Sequence, residues 1–172
     1  MSGFLLDTNV VSEMVRPKPH PGVLRWVAAA DESLLYLSVV TLGEIRKGIA
    51  SRAEAARRAH LESWLHSLAV RFSARILPID LAVADRWGHL AGKCKTKGLM
   101  LPVLDGLLAA TALHYDLILV TRNVKDVQST GVETLDPWNL WTAPCFPVKW
   151  RNAMNTTRKN KFVGPRNQQS CE

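Results

Sequence analysis

Apolar positions along this chain fall into two alternating kinds of run, short continuous stretches and longer stretches at helical spacing. Residues 3–7 (GFLLD) and 34–38 (LLYLS) are short apolar runs that predict buried strands. Residues 117–121 (LILVT) give the clearest strand signal, continuous, apolar and β-prone. Residues 76–79 (ILPI) predict a further short strand, which Pro78 confines to a sheet edge or a strand end. Residues 132–135 predict the last strand, closed by Asp136-Pro137-Trp138. Between these runs, residues 9–15 predict a short helix stopped by Pro17 and Pro19. Residues 21–30 begin with Pro21 at a first helical position and carry Val23, Leu24, Val27 and Ala28 at helical spacing. Helices are predicted over residues 42–49 and 53–70, the second with the stripe Leu61, Trp64, Leu65 and Leu68. Residues 81–97 predict a helix terminated at Gly98, residues 102–114 a helix opened by Pro102, and residues 124–127 a short helix or turn. Strands alternating with helices predict an α/β fold, a single domain with a largely parallel central sheet flanked by helices. Ligands of such sheets bind beyond the carboxyl ends of the strands, near a topological switch point. Asp7 and the Thr121-Arg122-Asn123 run, at the ends of the first and the strongest strand, therefore mark where a site is expected.

Composition narrows the class. At 172 residues, 47% hydrophobic and 22% charged, the chain has the balance of one soluble globular domain. No apolar run approaches the ~18 residues of a membrane-spanning helix. The opening MSGFLLDTNVVSE has no basic segment and meets an acid at Asp7, so no secretory signal is predicted and a cytoplasmic location is expected. Three cysteines, Cys94, Cys145 and Cys171, contain no CxxC pair, which argues against a disulfide framework or a zinc ribbon and suits a reducing compartment. The net charge of +7 is uneven. Residues 142–172 hold six basic residues against the single acid Glu172, a net of +5, which leaves +2 for residues 1–141. That division predicts a globular domain over residues 1–141 and a basic, flexible tail over 142–172. A basic tail can also help hold nucleic acid. Trp138, Trp141 and Trp150 near the end are candidates for an interface patch.

Four acids sit at element edges, three of them with strongly apolar flanks. Leu5-Leu6 precede Asp7, Leu42 and Ile45 flank Glu44, and Val103-Leu104 and Leu107-Leu108 flank Asp105; Asp126 lies just past the strand ending at Thr121. Carboxylates converging on an apolar rim repel one another and raise one another's pKa values. A divalent cation removes that repulsion, and oxygen-only ligands favour Mg²⁺ or Mn²⁺. Each acid also has a purely structural explanation. Asp7 can cap a helix starting near Asn9. Thr41-Leu42-Gly43-Glu44 fits a capping box. Asp105 in a first turn is favoured by the helix dipole. The spacing leaves both readings open.

Other chemistries lack their signatures. The five histidines form no HExxH or H-x₃-H pattern, and His60 and His66 read as surface residues of an amphipathic helix. No GxSxG, GxxxxGK[ST] or GxGxxG is present. Cys94 lies between Lys93 and Lys95 with no partner in view.

The sequence resembles the PIN-domain family, and within it the VapC/FitB-type toxins of bacterial toxin–antitoxin pairs. LLDTNVVSE (residues 5–13) is similar to the family's opening strand with its first acid, here Asp7. LSVVTLGEIRKGI (37–49) resembles the segment carrying the second acid, Glu44, and LDGLLAATAL (104–113) the helix carrying the third, Asp105. LVTRNVKDV (119–127), with Thr130-Gly131-Val132 beyond it, resembles the closing strand and loop, and ILPID and DPW resemble segments of the FitB-like branch. The resemblance covers residues 3–141. It implies an Mg²⁺- or Mn²⁺-dependent ribonuclease, usually a homodimer, neutralised by a small antitoxin that often binds DNA. It implies Asp7, Glu44 and Asp105 as primary metal ligands, Thr8 and Asn9 as groups orienting the first acid, and Thr121 and Asn123 as groups holding water at the metal. Arg46, Lys47 and Arg122 are candidate phosphate contacts. Many members have an aspartate directly after T-R, where this chain has Asn123; others have T-R-N-x-x-D, which Asp126 completes. Asn123 is favoured because it directly follows the strand end. Two other classes remain open on the sequence: a phosphatase-like α/β hydrolase with Asp7 as covalent nucleophile, which the missing D-x-D disfavours because Asn9 holds its second position, and a non-catalytic DNA-associated binding partner within a toxin–antitoxin complex.

Overall fold

The computed structural model describes residues 3–139. The predicted tail over 142–172, with Cys145, Trp150 and Cys171, lies outside the described residues, as does Trp141. In chain order the elements are β1 (Phe4–Leu6), α1 (Thr8–Glu13), α2 (Pro21–Ala29), β2 (Leu35–Ser38), α3 (Val39–Ala50), α4 (Ala55–Arg71), β3 (Ile76–Leu77), α5 (Leu81–Thr96), α6 (Val103–His114), β4 (Ile118–Val120), α7 (Val124–Val127) and β5 (Thr134–Leu135). Short 3₁₀ turns precede β2, β3 and the segment leading into β5.

The five strands form one sheet in the order β3-β2-β1-β4-β5, with every neighbouring pair parallel. Parallel strands are covered on both faces, which is why β1 and β4 are buried throughout and read as unbroken apolar runs. Their side chains alternate between two cores. Phe4, Leu6, Ile118 and Val120 point to one face, with Val10, Val23, Trp26, Ile45, Leu61, Leu65 and Leu68 of α1 to α4. Leu5 and Leu119 point to the other, with Leu108, Ala109 and Ala112 of α6. Pro78 ends β3 after two residues at the sheet edge, as its missing N–H requires. Gly98, at φ +67°, closes α5 through its N–H to the Lys95 carbonyl.

The start of α3 differs from the expectation. It begins at Val39 rather than Leu42, capped by Ser38, whose Oγ accepts the Val40 N–H at 3.2 Å. The Thr41–Glu44 capping box is therefore not formed. Thr41 lies inside the helix and donates its hydroxyl to the Leu6 carbonyl at 3.2 Å, tying α3 to the end of β1.

From β1 the chain winds outward through β2 to β3, then returns to the other side of β1 for β4 and β5. The direction of winding reverses between β1 and β4, so a crevice opens at their carboxyl ends. Asp7 and Thr121 stand there.

Candidate active site

The site is built around Asp7. Its N–H donates to the Val120 carbonyl at 3.0 Å, continuing the β1–β4 ladder by one residue. Its carboxylate caps α1, with Oδ1 accepting the Thr8 N–H at 2.5 Å. The capping explanation is thus correct, and it is incomplete. Oδ2 accepts from the Asn9 amide and from the Thr121 hydroxyl, each at 2.6 Å. The Thr121 hydroxyl oxygen in turn accepts the Asn123 N–H at 2.9 Å and the Asn9 amide at 3.2 Å. The Arg122 N–H reaches Asn9 Oδ1 at 3.4 Å. Thr8 donates its hydroxyl to Glu44 at 2.6 Å, which draws the α3 carboxylate toward the end of β1.

Electrostatics ties in the other acids. Burial pushes the Asp7 carboxyl up to about 6, against the pull of Thr121 and Thr8, and the charges of Asp105 and Glu44 push it further. Asp105, in the first turn of α6, is also raised, by burial and then by the charges of Asp126 and Glu44, with the Asn123 side chain opposing through a hydrogen bond. Asp7, Glu44, Asp105 and Asp126 therefore share one region of negative potential. Asn123 touches Asp105 with its side chain and Thr121 with its backbone. Asp126 acts on Asp105 through space and is itself exposed.

The structure does not close these acids around a point. Among the described residues no three His, Cys, Asp or Glu side chains form a metal-holding group. The donor set is nonetheless all oxygen and carries more negative charge than its burial favours, which suits a hard divalent cation. Mg²⁺ commonly takes only one or two protein carboxylates and keeps several waters, so an open set of acids matches its habits.

The remaining candidates divide. Lys47 lies one helical turn from Glu44, on the same side of α3, whereas Arg46 is turned about 200° away around the helix axis. Both are exposed. Arg122 is exposed as well, and its guanidinium lies over the Trp138 ring, 5.7 Å from the centroid. His20 faces the same indole, with ring centroids 6.4 Å apart. Sequence reading found Arg122 but not this grouping, since nothing local links residues 20, 122 and 138. Cys94 is buried and contacts Ser129 at 3.3 Å. Each oxygen of Asp7 accepts at least one donor, which fixes the orientation of the carboxylate.

A sheet wound in this order, with an acid at the end of its central strand, a second acid on the following helix and a third in the first turn of α6, is the arrangement of a PIN domain. The PIN domain family model matches residues 4–128, and the chain belongs to this family. It is 33% identical over 136 residues to the VapC ribonuclease Y4jK of Sinorhizobium fredii, an alignment covering 78% of this chain and 97% of that protein. It is 35% identical over 137 residues to Toxin FitB of Neisseria gonorrhoeae, covering 79% of this chain and 99% of that one. The solved structure of FitAB bound to the IR36 DNA fragment superposes with a TM-score of 0.76 at 33% identity, over 80% of this chain and 96% of that one. These relatives put the chain in the VapC/FitB branch of PIN-domain ribonuclease toxins. No described helix is long and apolar enough to cross a membrane.

Proposed function

We propose that this protein hydrolyses RNA phosphodiester bonds at the Asp7–Glu44–Asp105 rim with Mg²⁺ or Mn²⁺, as the toxin of a toxin–antitoxin pair. The observation that supports the reading is the geometry at the switch point of the sheet, where Thr8, Asn9 and Thr121 hold the Asp7 carboxylate and Thr8 draws Glu44 toward it; burial, with a smaller push from neighbouring acids, raises both Asp7 and Asp105. Asp7, Glu44 and Asp105 are the groups that would hold the cation. When bound, the cation supplies Lewis acidity toward a phosphoryl oxygen and activation of water. The chain's own residues orient and hold. Thr8, Asn9 and Thr121 fix both oxygens of Asp7, and Thr8 fixes Glu44. Asn123 steadies Asp105 by hydrogen bonding without adding a further negative charge, which favours it over Asp126 as the fourth site residue. Arg122 and Lys47 are the cations positioned to meet phosphate. FitAB is solved bound to a DNA fragment, which supports reading this chain as having a cognate antitoxin; a homodimer is what the family resemblance implies.

The test is cleavage of single-stranded RNA by purified protein with added Mg²⁺ or Mn²⁺ and with excess EDTA. Asp105→Asn should abolish cleavage. Asn123→Ala should cost on the order of 10- to 100-fold, the usual effect of losing a group that supports metal ligands, and more than Asp126→Asn costs. Full activity in EDTA would overturn the metal reading, and a larger loss at Asp126 would reject Asn123 as the fourth residue.

A further inference from the structure

We propose that Trp138, flanked by Arg122 and His20, is a stacking platform that receives one unpaired base of single-stranded RNA beside the acidic rim. The proposal rests on the nuclease reading above and adds the means by which the strand is held. Its first support is placement. Trp138 follows β5 by three residues, at the end of the sheet where Asp7 and Thr121 stand, and the Thr121 N–H bonds the Leu135 carbonyl at 3.0 Å. Arg122 joins the two places. Its backbone N–H belongs to the Asn9 network around Asp7, while its guanidinium covers the indole.

The second support is rigidity. Asp136 accepts the Trp138 N–H at 2.9 Å and the Asn139 amide at 2.6 Å, which fixes the turn carrying the indole. The opposite wall is held as firmly. The His20 N–H donates to buried Glu13 at 2.9 Å, and His20 Nδ1 accepts the Gly22 N–H at 3.2 Å, so the imidazole cannot swing. At Gly22 a Cβ would lie 2.6 Å from the Pro137 carbonyl oxygen, so only glycine lets α2 approach the Trp138 turn this closely. The indole is half-buried, with part of it packed against the core beneath β1 and β2, which anchors the ring.

The third support is chemistry. Indole and imidazole faces stack on any nucleobase, and a guanidinium beside them binds phosphate and stacks as well. A base must be unpaired to lie on such a surface, whereas a duplex presents its backbone. The acids of the rim repel phosphate, and the cationic, aromatic surface that Arg122 links to the Asn9 network supplies the attraction.

The test uses the full chain with Asp105→Asn, which blocks cleavage, and a short fluorescent single-stranded RNA of mixed sequence, compared with the same strand annealed to its complement. Trp138→Ala should weaken binding of the single strand about ten-fold, within the range found when one stacked base loses its aromatic partner, and leave duplex binding unchanged. Trp138→Phe should restore most of the loss. In the cleavage-competent chain the cost should fall on KM rather than kcat. Independently of any variant's folding, irradiating wild type with 5-iodouridine-substituted RNA should crosslink Trp138 or His20. Crosslinks only elsewhere, or equal losses for single strand and duplex, would overturn the platform. The two readings separate cleanly. Metal-dependent cleavage that Trp138→Ala leaves intact defeats the platform alone. Trp138-dependent binding of single-stranded RNA without any metal-dependent cleavage defeats the nuclease reading alone.

Discussion

Asp7 meets two opposed demands, since burial disfavours its charge while three donors stabilise it. Burial prevails, and the carboxyl titrates near 6 in the folded chain against 3.8 ordinarily. The folded protein thus keeps this proton where the unfolded chain has lost it, so stability contributed by Asp7 falls as pH rises from about 4 to 6 and stays low above. Two units correspond to about 3 kcal/mol, less what an amide loses as an acceptor. Asp7→Asn in EDTA should therefore melt several degrees above wild type near pH 8, with the gain shrinking toward pH 4, while cleavage is abolished. A pH series of thermal melts checks this, and a lower melting temperature at every pH would contradict it. Asp7, Glu44 and Asp105 stood out in the sequence by their apolar flanks, which left a capping role and a metal site both open, and only the family resemblance singled out the second. The Arg122–Trp138–His20 grouping did not stand out, because a cation over an indole leaves no spacing to read when its members lie on separate segments.

Helices and strands were legible wherever periodicity was uninterrupted, and the start of α3 was not, because Val39 and Val40 are β-branched and prolong the strand pattern past its end. Thr41 added to the error. Its apparent capping box is a helix-interior residue whose hydroxyl serves β1. The 3₁₀ turns also escaped sequence reading, and one of them carries a junction. Glu32, just before β2, accepts from Arg71 at the end of α4 and from Arg75 just before β3; Arg75 also donates to the Leu35 carbonyl at 3.1 Å. These bonds, Arg71 foremost, hold the Glu32 carboxyl down to about 2. Its contribution is then complete above about 4.5, its ordinary value, and is lost as pH falls toward 2. With 43% of the side chain exposed, solvent screening limits the effect to under about 1 kcal/mol. Glu32→Gln should lower the melting temperature slightly at neutral pH, and the difference from wild type should vanish near pH 2 and shrink in high salt. Melting curves across pH at two ionic strengths test it, and a difference that grows on acidification would refute the junction.

At the scale of the whole molecule, alternation of strand and helix was enough to predict a parallel α/β sheet, but strand order was beyond it. Nothing in a two- to four-residue strand says which neighbour it will choose, and the return of β4 to the side of β1 comes from the structure. That return places the partners of the site far apart in the chain. The Asp7–Thr121 bond spans 114 residues, and β1 has no neighbour on its inner side until β4 exists. A ribosome delivers these halves at different times. Until Thr121 has emerged, Asp7 has only its local donors Thr8 and Asn9, and the crevice lacks the wall that β4 supplies. Chains arrested on the ribosome with residues 1–115 outside the exit tunnel should be readily digested by protease and should cleave no RNA. Those arrested after residue 139 has cleared should resist digestion and be active. Protection or activity in the shorter chains would show that the N-terminal part closes the site without β4. Long-range pairing of this kind also folds slowly, so the crevice is among the last parts of a newly made chain to close.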